Sequence, residues 1–600
     1  MTVINGARML SYARVTLSAR TAWTLVAAVL ITLYGGLLRL DAFTGRYGTL
    51  DRPGWARVMT HDVAPLARHL RPSTVAWGRV AHPYVGGDPI AYLEYARAMT
   101  TFYQPHVREP VFLATTRLGV WATGGQDAGI SLASAAGSML AIFATYLLGA
   151  ALVSRAGGLA AAALMAVEYN SITWAVDGWR DDTFTAAFVL SAWALLRFHD
   201  RASFGNALLV GFTAGAACLT RITALSFILP AFLWIAMTSN GDRRTRLTYV
   251  AAAVVIMTAL VAPFLISCAI ATGDPFFAIN YHTVYYRFGE SLPIDRPMSA
   301  AAYIGQKFAR HPVGTLDVAI NGLFVRPFAT KWEPFAIWAR GLAIGLPALA
   351  LAGLAMWPFS ARGRLMLVLL IGSLVPYAFT WNVGGGGEWR FTMHALPILL
   401  VAAVYAVAAV VRAARARPAM RPVVLRGAAV VAIAAIATAF YMALPWFTTK
   451  EAIANGEAVT IEAGARERVF YRQGWSETHA EGMVNVRVSR GARTSMHFPL
   501  PRKRGYEAVL RIDPIDPNRQ DRLDLLFNSQ LVGRIRLLWD PQRVGSYRVW
   551  LPAEWVIVGD NELTLIPGTT VTAGSAGRRF AWLDPADTVG VRVWYLRVME

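Results

Sequence analysis

Asp88, Tyr92 and Ala96 recur at four-residue steps in Gly87-Asp-Pro-Ile-Ala-Tyr-Leu-Glu-Tyr-Ala-Arg97, so on a helix they share one face. Pro89 suits a first helical turn, which makes Asp88 a natural N-cap. The same carboxylate, within reach of a hydroxyl, could remove its proton. Four arginines stand in short polar segments beside apolar runs: Arg108 in Arg108-Glu109-Pro110, Arg180 in Trp179-Arg180-Asp181-Asp182, Arg221 after Thr220, and Arg390 in Glu388-Trp-Arg390. A guanidinium keeps its charge and matches the paired oxygens of a phosphate or carboxylate. Plainer roles stand beside that one. Arg221 could snorkel at a helix end, Arg180 could pair with Asp181 or Asp182, and those two acids could cap the helix they open. Asp41 is a rival to Asp88 as the reactive carboxylate, Glu109 with His282 could hold a divalent metal, and Glu168 sits inside an apolar run where it needs a polar partner.

The elements that must position these groups are membrane helices. Of the 600 residues, 55% are hydrophobic, and they gather in runs of the length a bilayer core requires. Segments 22–40, 127–152, 156–175, 182–197, 203–219, 222–238, 247–271, 336–357, 364–381, 391–411 and 424–446 are predicted to span, about eleven helices in all. The first lacks a cleavage site after its apolar stretch and is expected to be retained. With the amino terminus in the cytoplasm, the cytoplasmic connections hold sixteen arginines against two acids, Asp200 and Asp242. That asymmetry accounts for much of the net charge of +20 without nucleic acid, and it places loops 41–126 and 272–335 outside. The split between 203–219 and 222–238 rests on Thr220-Arg221 alone. Cys218 and Cys268 fall in apolar runs and read as small packing residues.

An outside loop carrying Asp88-x-x-x-Tyr92, then Arg108-Glu109-Pro110-Val-Phe112, then an acidic turn before the fourth span, resembles the GT-C superfamily of polyprenyl-phosphate-sugar glycosyltransferases. The resemblance is closest to the branch of protein O-mannosyltransferases and lipid A aminoarabinose transferases. It covers about residues 20–270, with Glu388-Trp-Arg390 as a further match. It implies a GT-C-like membrane domain over 1–450 and an inverting transfer of a sugar from a polyprenyl-phosphate donor to a hydroxyl of a cell-envelope glycan, lipid or protein. It also implies Asp88 as the base, with Tyr92, Arg108, Glu109, Arg180, Asp181, Asp182, Arg221, Glu388 and Arg390 lining the substrates, and it leaves a divalent metal open. The sequence departs from many relatives in Pro89, where a second acid is common, and in Glu109 before Pro110, where proline is common.

Beyond residue 450 the pattern changes to short alternating strands punctuated by Pro, Gly, Asn and Asp. Tyr506–Asp513, Leu523–Phe527, 533–538, Tyr547–Leu551, Glu562–Ile566 and Val591–Leu596 are predicted strands of an extracytoplasmic antiparallel sandwich or jelly roll over 451–600. It resembles carbohydrate-binding domains, and Trp475, Trp539, Trp550 and Trp555 are either sugar-stacking faces or packing aromatics. No nucleotide-cradling glycine loop occurs. Competing classes are a lipid-linked glycan polymerase or ligase, a transporter or flippase of such glycans, and an envelope scaffold.

Overall fold

The computed structural model describes residues 19–51, 54–71, 75, 77, 87–238, 242–290, 292–329, 331–379, 389–415, 420–481, 484–515, 521–537, 545–577 and 580–600. Two compact units emerge: Met1–Ala300 with Asn321–Met420, and Ala301–Ile320 with Arg421–Glu600.

The first unit is helical. Every predicted span in it falls on a helix: Ala19–Tyr47, Gly129–Leu152, Arg155–Val167 with Tyr169–Val176, Asp181–Asp200, Phe204–Thr220, Leu225–Thr238, Arg243–Thr272, Arg340–Met356, Ala361–Ala378 and Ala395–Arg415. Among the described residues of the chain, six helices are long and apolar enough to cross a bilayer, and a bent pair makes a seventh. This is a multi-pass membrane protein. The bend, 58° between Arg155–Val167 and Tyr169–Val176, has a cause: Glu168 leaves the helical region and its carboxylate accepts the Asn170 and Ser171 backbone N–H groups, capping the second piece. The polar partner that Glu168 needs is thus its own chain. The helix ending at Thr220 breaks at Arg221, which is extended, and a turn at Ile222–Ala224 opens the next.

Small residues set how closely the spans approach. A methyl group on Gly353 would stand 1.9 Å from the Ala402 carbonyl oxygen, and one on Gly137 2.6 Å from the Thr183 hydroxyl. Both cysteines are buried and free.

The loop between the first two long spans carries helices Asp88–Ala98 and Pro110–Ala122, and the loop after Thr272 carries Phe277–Asn280 and Thr283–Gly289. Asp41 does not reach the others. It is buried against Trp77 Nε1 at 2.7 Å and Arg71 Nε at 2.6 Å, which ties the end of the first helix to its loop.

In the second unit, helix Met420–Ala454 leads into two antiparallel sheets. The seven-stranded sheet runs His479–Glu481, Val484–Arg490, Thr588–Met599, Tyr506–Pro514, Gly545–Leu551, with Val459–Glu462 and Val571–Thr572 also on Thr588–Met599. The five-stranded sheet runs Tyr471–Gln473, Thr494–Leu500, Gly559–Pro567, Asp521–Phe527, Gln530–Leu537. Alternate residues from both, among them Leu510, Val593, Phe498 and Leu563, are fully buried in one core. All six predicted strands are present. Trp475 donates Nε1–H to the Ser495 carbonyl and is half-buried, whereas Trp550 is exposed. Trp539 lies outside the described residues.

Candidate active site

Helix Asp88–Ala98 begins one residue earlier than a cap at Asp88 requires. Gly87 takes the cap position with φ +78°, a conformation glycine adopts without strain, and Asp88 is the first helical residue. Its carboxylate is therefore not spent on the helix end. Oδ1 accepts from Arg108 Nη2 at 3.0 Å and Oδ2 from Arg390 Nη1 at 3.0 Å, and the side chain remains 29% exposed. Burial works against the charged carboxylate, but the Arg108 and Arg390 guanidiniums outweigh it and hold its pKa below the usual range.

One turn on, Tyr92 is buried under two cations. The Arg108 and Arg180 guanidiniums lie 5.3 and 5.8 Å from its ring centre, and Phe112 packs edge-on at 5.4 Å. The shared face of Asp88 and Tyr92 is thus the face of a charge cluster. Glu109 caps nothing either. Its Oε2 pairs with Arg180 Nη1 at 2.5 Å and its Oε1 accepts the Ile222 backbone N–H at 2.8 Å, which pins the chain just past the break at Arg221. Arg180 therefore takes Glu109, not the neighbouring Asp181 or Asp182. Arg221 is 4% exposed. It pairs with Asp181 and the Tyr377 hydroxyl and lies 5.3 Å from the Phe184 ring centre, so it does not snorkel. Arg390 completes the ring, 3.9 Å from the Trp179 ring centre and 3.8 Å from Asp181 Oδ2.

Four guanidiniums thus face three carboxylates, Asp88, Glu109 and Asp181, and the excess is one positive charge. His282 does not add to it. Its Nε2 lies 2.8 Å from Arg108 Nη1, and burial beside Arg108 pushes its pKa down to about 3, so the ring is neutral and accepts from the guanidinium. Glu109 and His282 are thereby committed to different arginines. Among the described residues no three His, Cys, Asp or Glu side chains come together as a metal site. Asp182 points elsewhere, toward Ser134 Oγ at 3.4 Å, and does not join the arginines. Glu388 lies outside the described residues.

Two contributors escape the sequence reading. Tyr377 holds Arg221. Lys331, fully buried, donates to Thr392 Oγ1 at 2.8 Å, two residues beyond Arg390. The chain has only four lysines, and a lone lysine in an aromatic-rich loop was the available signal for the second.

Residues 104–266 match the family described as dolichyl-phosphate-mannose-protein mannosyltransferase, which meets the resemblance drawn from the sequence. That stretch holds Arg108, Glu109, Arg180, Asp181, Asp182 and Arg221; Asp88 and Arg390 lie outside it. No curated protein matches. Solved structures with similarity include the archaeal oligosaccharyltransferase AglB from Archaeoglobus fulgidus in complex with an inhibitory peptide and a dolichol-phosphate (14% identity, 73% of this chain, TM-score 0.42). The chain spans 56% of that protein's length. ArnT from Cupriavidus metallidurans bound to undecaprenyl phosphate aligns over 73% of this chain and 70% of its own (16% identity, TM-score 0.39). The C-terminal CBM6 of LamC, a laminarinase of Zobellia galactanivorans, aligns along its whole length over 24% of this chain (11% identity, TM-score 0.15).

Proposed function

We propose that the chain is a glycosyltransferase that moves a sugar from a polyprenyl-phosphate donor to a hydroxyl of a cell-envelope glycan, lipid or protein, on the outer face of the cytoplasmic membrane. The observation that carries it is the double engagement of Asp88 by Arg108 and Arg390 within a ring of four arginines and three carboxylates. The family match over 104–266 supports the same class. The amino terminus is cytoplasmic and the sandwich extracytoplasmic in this reading, by the arginine asymmetry of the connections.

The site suits a phosphate leaving group. A donor phosphate, a diester with a single negative charge and two free oxygens, competes with the Asp88 carboxylate for Arg108 and Arg390, and the polyprenyl phosphate monoester left after transfer carries more charge and holds them more strongly. That exchange releases Asp88 from two cations and raises its proton affinity when a base is needed. The acceptor oxygen then attacks the anomeric carbon opposite the phosphate and its proton passes to Asp88. The bond from the anomeric carbon to the phosphate oxygen breaks, and the arginines hold the polyprenyl phosphate that leaves. Attack from the far face inverts the anomeric centre. Tyr92 fixes the spacing of Arg108 and Arg180, and Glu109 and Asp181 hold Arg180 and Arg221 in place.

The test is release of free polyprenyl phosphate by the purified chain from a panel of polyprenyl-phosphate sugars, compared with Asp88→Asn. Loss of the base lowers turnover by about 10²–10⁴-fold. Normal turnover by the variant sinks Asp88 as the base. Failure of the wild type to bind undecaprenyl phosphate or to consume any such donor sinks the donor class.

A further inference from the structure

On the exposed side of the charge cluster, the loop after Thr272 sets a group of aromatic rings against Arg108. His282 bonds to the guanidinium that holds Asp88. Tyr281 and Tyr285 flank His282 with ring centres 5.6 and 6.1 Å away. The two tyrosines are 5.9 Å apart and their hydroxyls meet at 3.4 Å. Tyr95 packs on His106 at 4.3 Å and lies close enough to Tyr285 to interact with it electrostatically. Tyr281 is 38% exposed and Tyr285 57%.

The rings stand on a braced support. Asp274 accepts the Phe276 backbone N–H and an Asn280 side-chain N–H, each at 2.8 Å, and Asn280 Oδ1 accepts the Ala300 N–H at 2.9 Å. Arg287, 1% exposed, donates to the Pro293 and Arg296 carbonyls at 2.8 Å each. These bonds brace the segment, while Tyr281 and Tyr285 stay exposed next to His282, which bonds the guanidinium that holds Asp88.

We propose that Tyr281 and Tyr285 form the acceptor subsite, and that the acceptor they take is a sugar ring, so the hydroxyl that attacks belongs to a saccharide. This rests on the reading of Asp88 as the transferring site. A saccharide ring shows a face of C–H groups with partial positive charge, which complements the negative face of an aromatic ring. Its rim of hydroxyls needs partners that both donate and accept, as the paired tyrosine hydroxyls do. A ring lying on Tyr281 and Tyr285 has Arg108, and beyond it Asp88, at its edge. A peptide acceptor would instead call for backbone partners, and the exposed groups here are ring faces and phenols.

The experiment is saturation-transfer NMR on the full-length chain in detergent with free methyl glycosides (mannoside, glucoside, galactoside and arabinofuranoside) and, separately, a Ser/Thr-rich peptide. At least one glycoside is expected to receive saturation, strongest on its ring C–H protons. The signal should fall about tenfold in Tyr281→Ala/Tyr285→Ala, as the loss of two ring contacts implies. Tyr281→Phe/Tyr285→Phe should restore most of the ring C–H saturation. Equal signals in wild type and the double-alanine variant, no transfer to any glycoside, or tyrosine-dependent transfer to the peptide would each overturn the proposal. Undecaprenyl phosphate binding to the wild-type chain, measured alongside, reports on the donor reading separately.

Discussion

Asp88 and Arg390 stand 302 positions apart in the chain and meet at 3.0 Å. Everything that joins them is tertiary. Asp88 arrives on a loop helix after the first span, and Arg390 arrives on the turn Trp389–Thr392 before the helix Ala395–Arg415. Arg108 approaches the other carboxylate oxygen from a different part of the first loop. An anion entering the site must therefore displace one carboxylate from two guanidiniums, each held by its own element.

Arg390 can be tested by shape as well as charge. Its guanidinium stacks on Trp179 at 3.9 Å while donating to Asp88, which an ammonium cannot reproduce. Arg390→Lys is expected to weaken undecaprenyl phosphate binding by about tenfold and Arg390→Ala by more, from a loss of about 1.5–3 kcal/mol for a charge-assisted hydrogen bond. Asp88→Asn is expected to bind undecaprenyl phosphate at least as tightly as wild type, since it releases the arginines. Weaker binding by Asp88→Asn would show that the carboxylate supports the anion rather than competing with it.

His282 gives the site a pH signature. Its folded pKa of about 3 lies below the unfolded value near 6.5, so between these values the unfolded chain binds more protons. The neutral ring's contribution to stability is complete above pH of about 6.5 and is lost as pH falls toward 3, at up to about 1.4 kcal/mol per pH unit. His282→Gln keeps an acceptor for Arg108 and does not titrate. The wild type is expected to lose melting temperature relative to His282→Gln as pH falls from 7 to 4; parallel curves would remove His282 from this role.

The membrane helices and the strands were legible because their periods of hydrophobicity are set by the bilayer and by the sandwich core, as the buried alternation along Tyr506–Pro514 illustrates. The arginines were legible as a class, because charge at the ends of apolar segments needs a reason. Their partners were not. Arg180 sits beside two aspartates and binds neither, because the helix opened by Asp181 and Asp182 turns one acid to Arg221 and the other to Ser134. Only side chains three or four apart on a helix face can be paired from sequence. Glu109 with Arg180, Tyr377 with Arg221 and Lys331 with Thr392 are long-range contacts, and no local spacing encodes them.

The buried pair of Asp181 and Arg221 is expected to behave asymmetrically. Asp181→Asn leaves Arg221 with less than its full charge partner and should lower stability by about 3 kcal/mol or more. Replacing both, as Asp181→Leu with Arg221→Met, removes the stranded charge and should recover much of that loss while weakening anion binding. Thermal denaturation and undecaprenyl phosphate binding together decide it. A double variant no more stable than Asp181→Asn would mean that the pair itself stabilises the fold.

Two glycines in one span separate close packing from open surface. Gly353 and Gly345 both lie in Arg340–Met356, yet a methyl group on Gly353 would stand 1.9 Å from the Ala402 carbonyl oxygen, whereas one on Gly345 meets nothing within 4 Å. The contact at Gly353 is backbone, so no side-chain rotation relieves it. Gly353→Ala must push apart the helices Arg340–Met356 and Ala395–Arg415, and overpacking of this kind lowers stability by about 1–3 kcal/mol. Gly345→Ala should be neutral or stabilising by up to about 1 kcal/mol, because alanine restricts the unfolded chain and favours the helix. Because Ala395–Arg415 follows directly on the turn that carries Arg390, Gly353→Ala should also weaken undecaprenyl phosphate binding, and Gly345→Ala should not. If both variants melt with the wild type, the two helices pack less tightly than this contact requires.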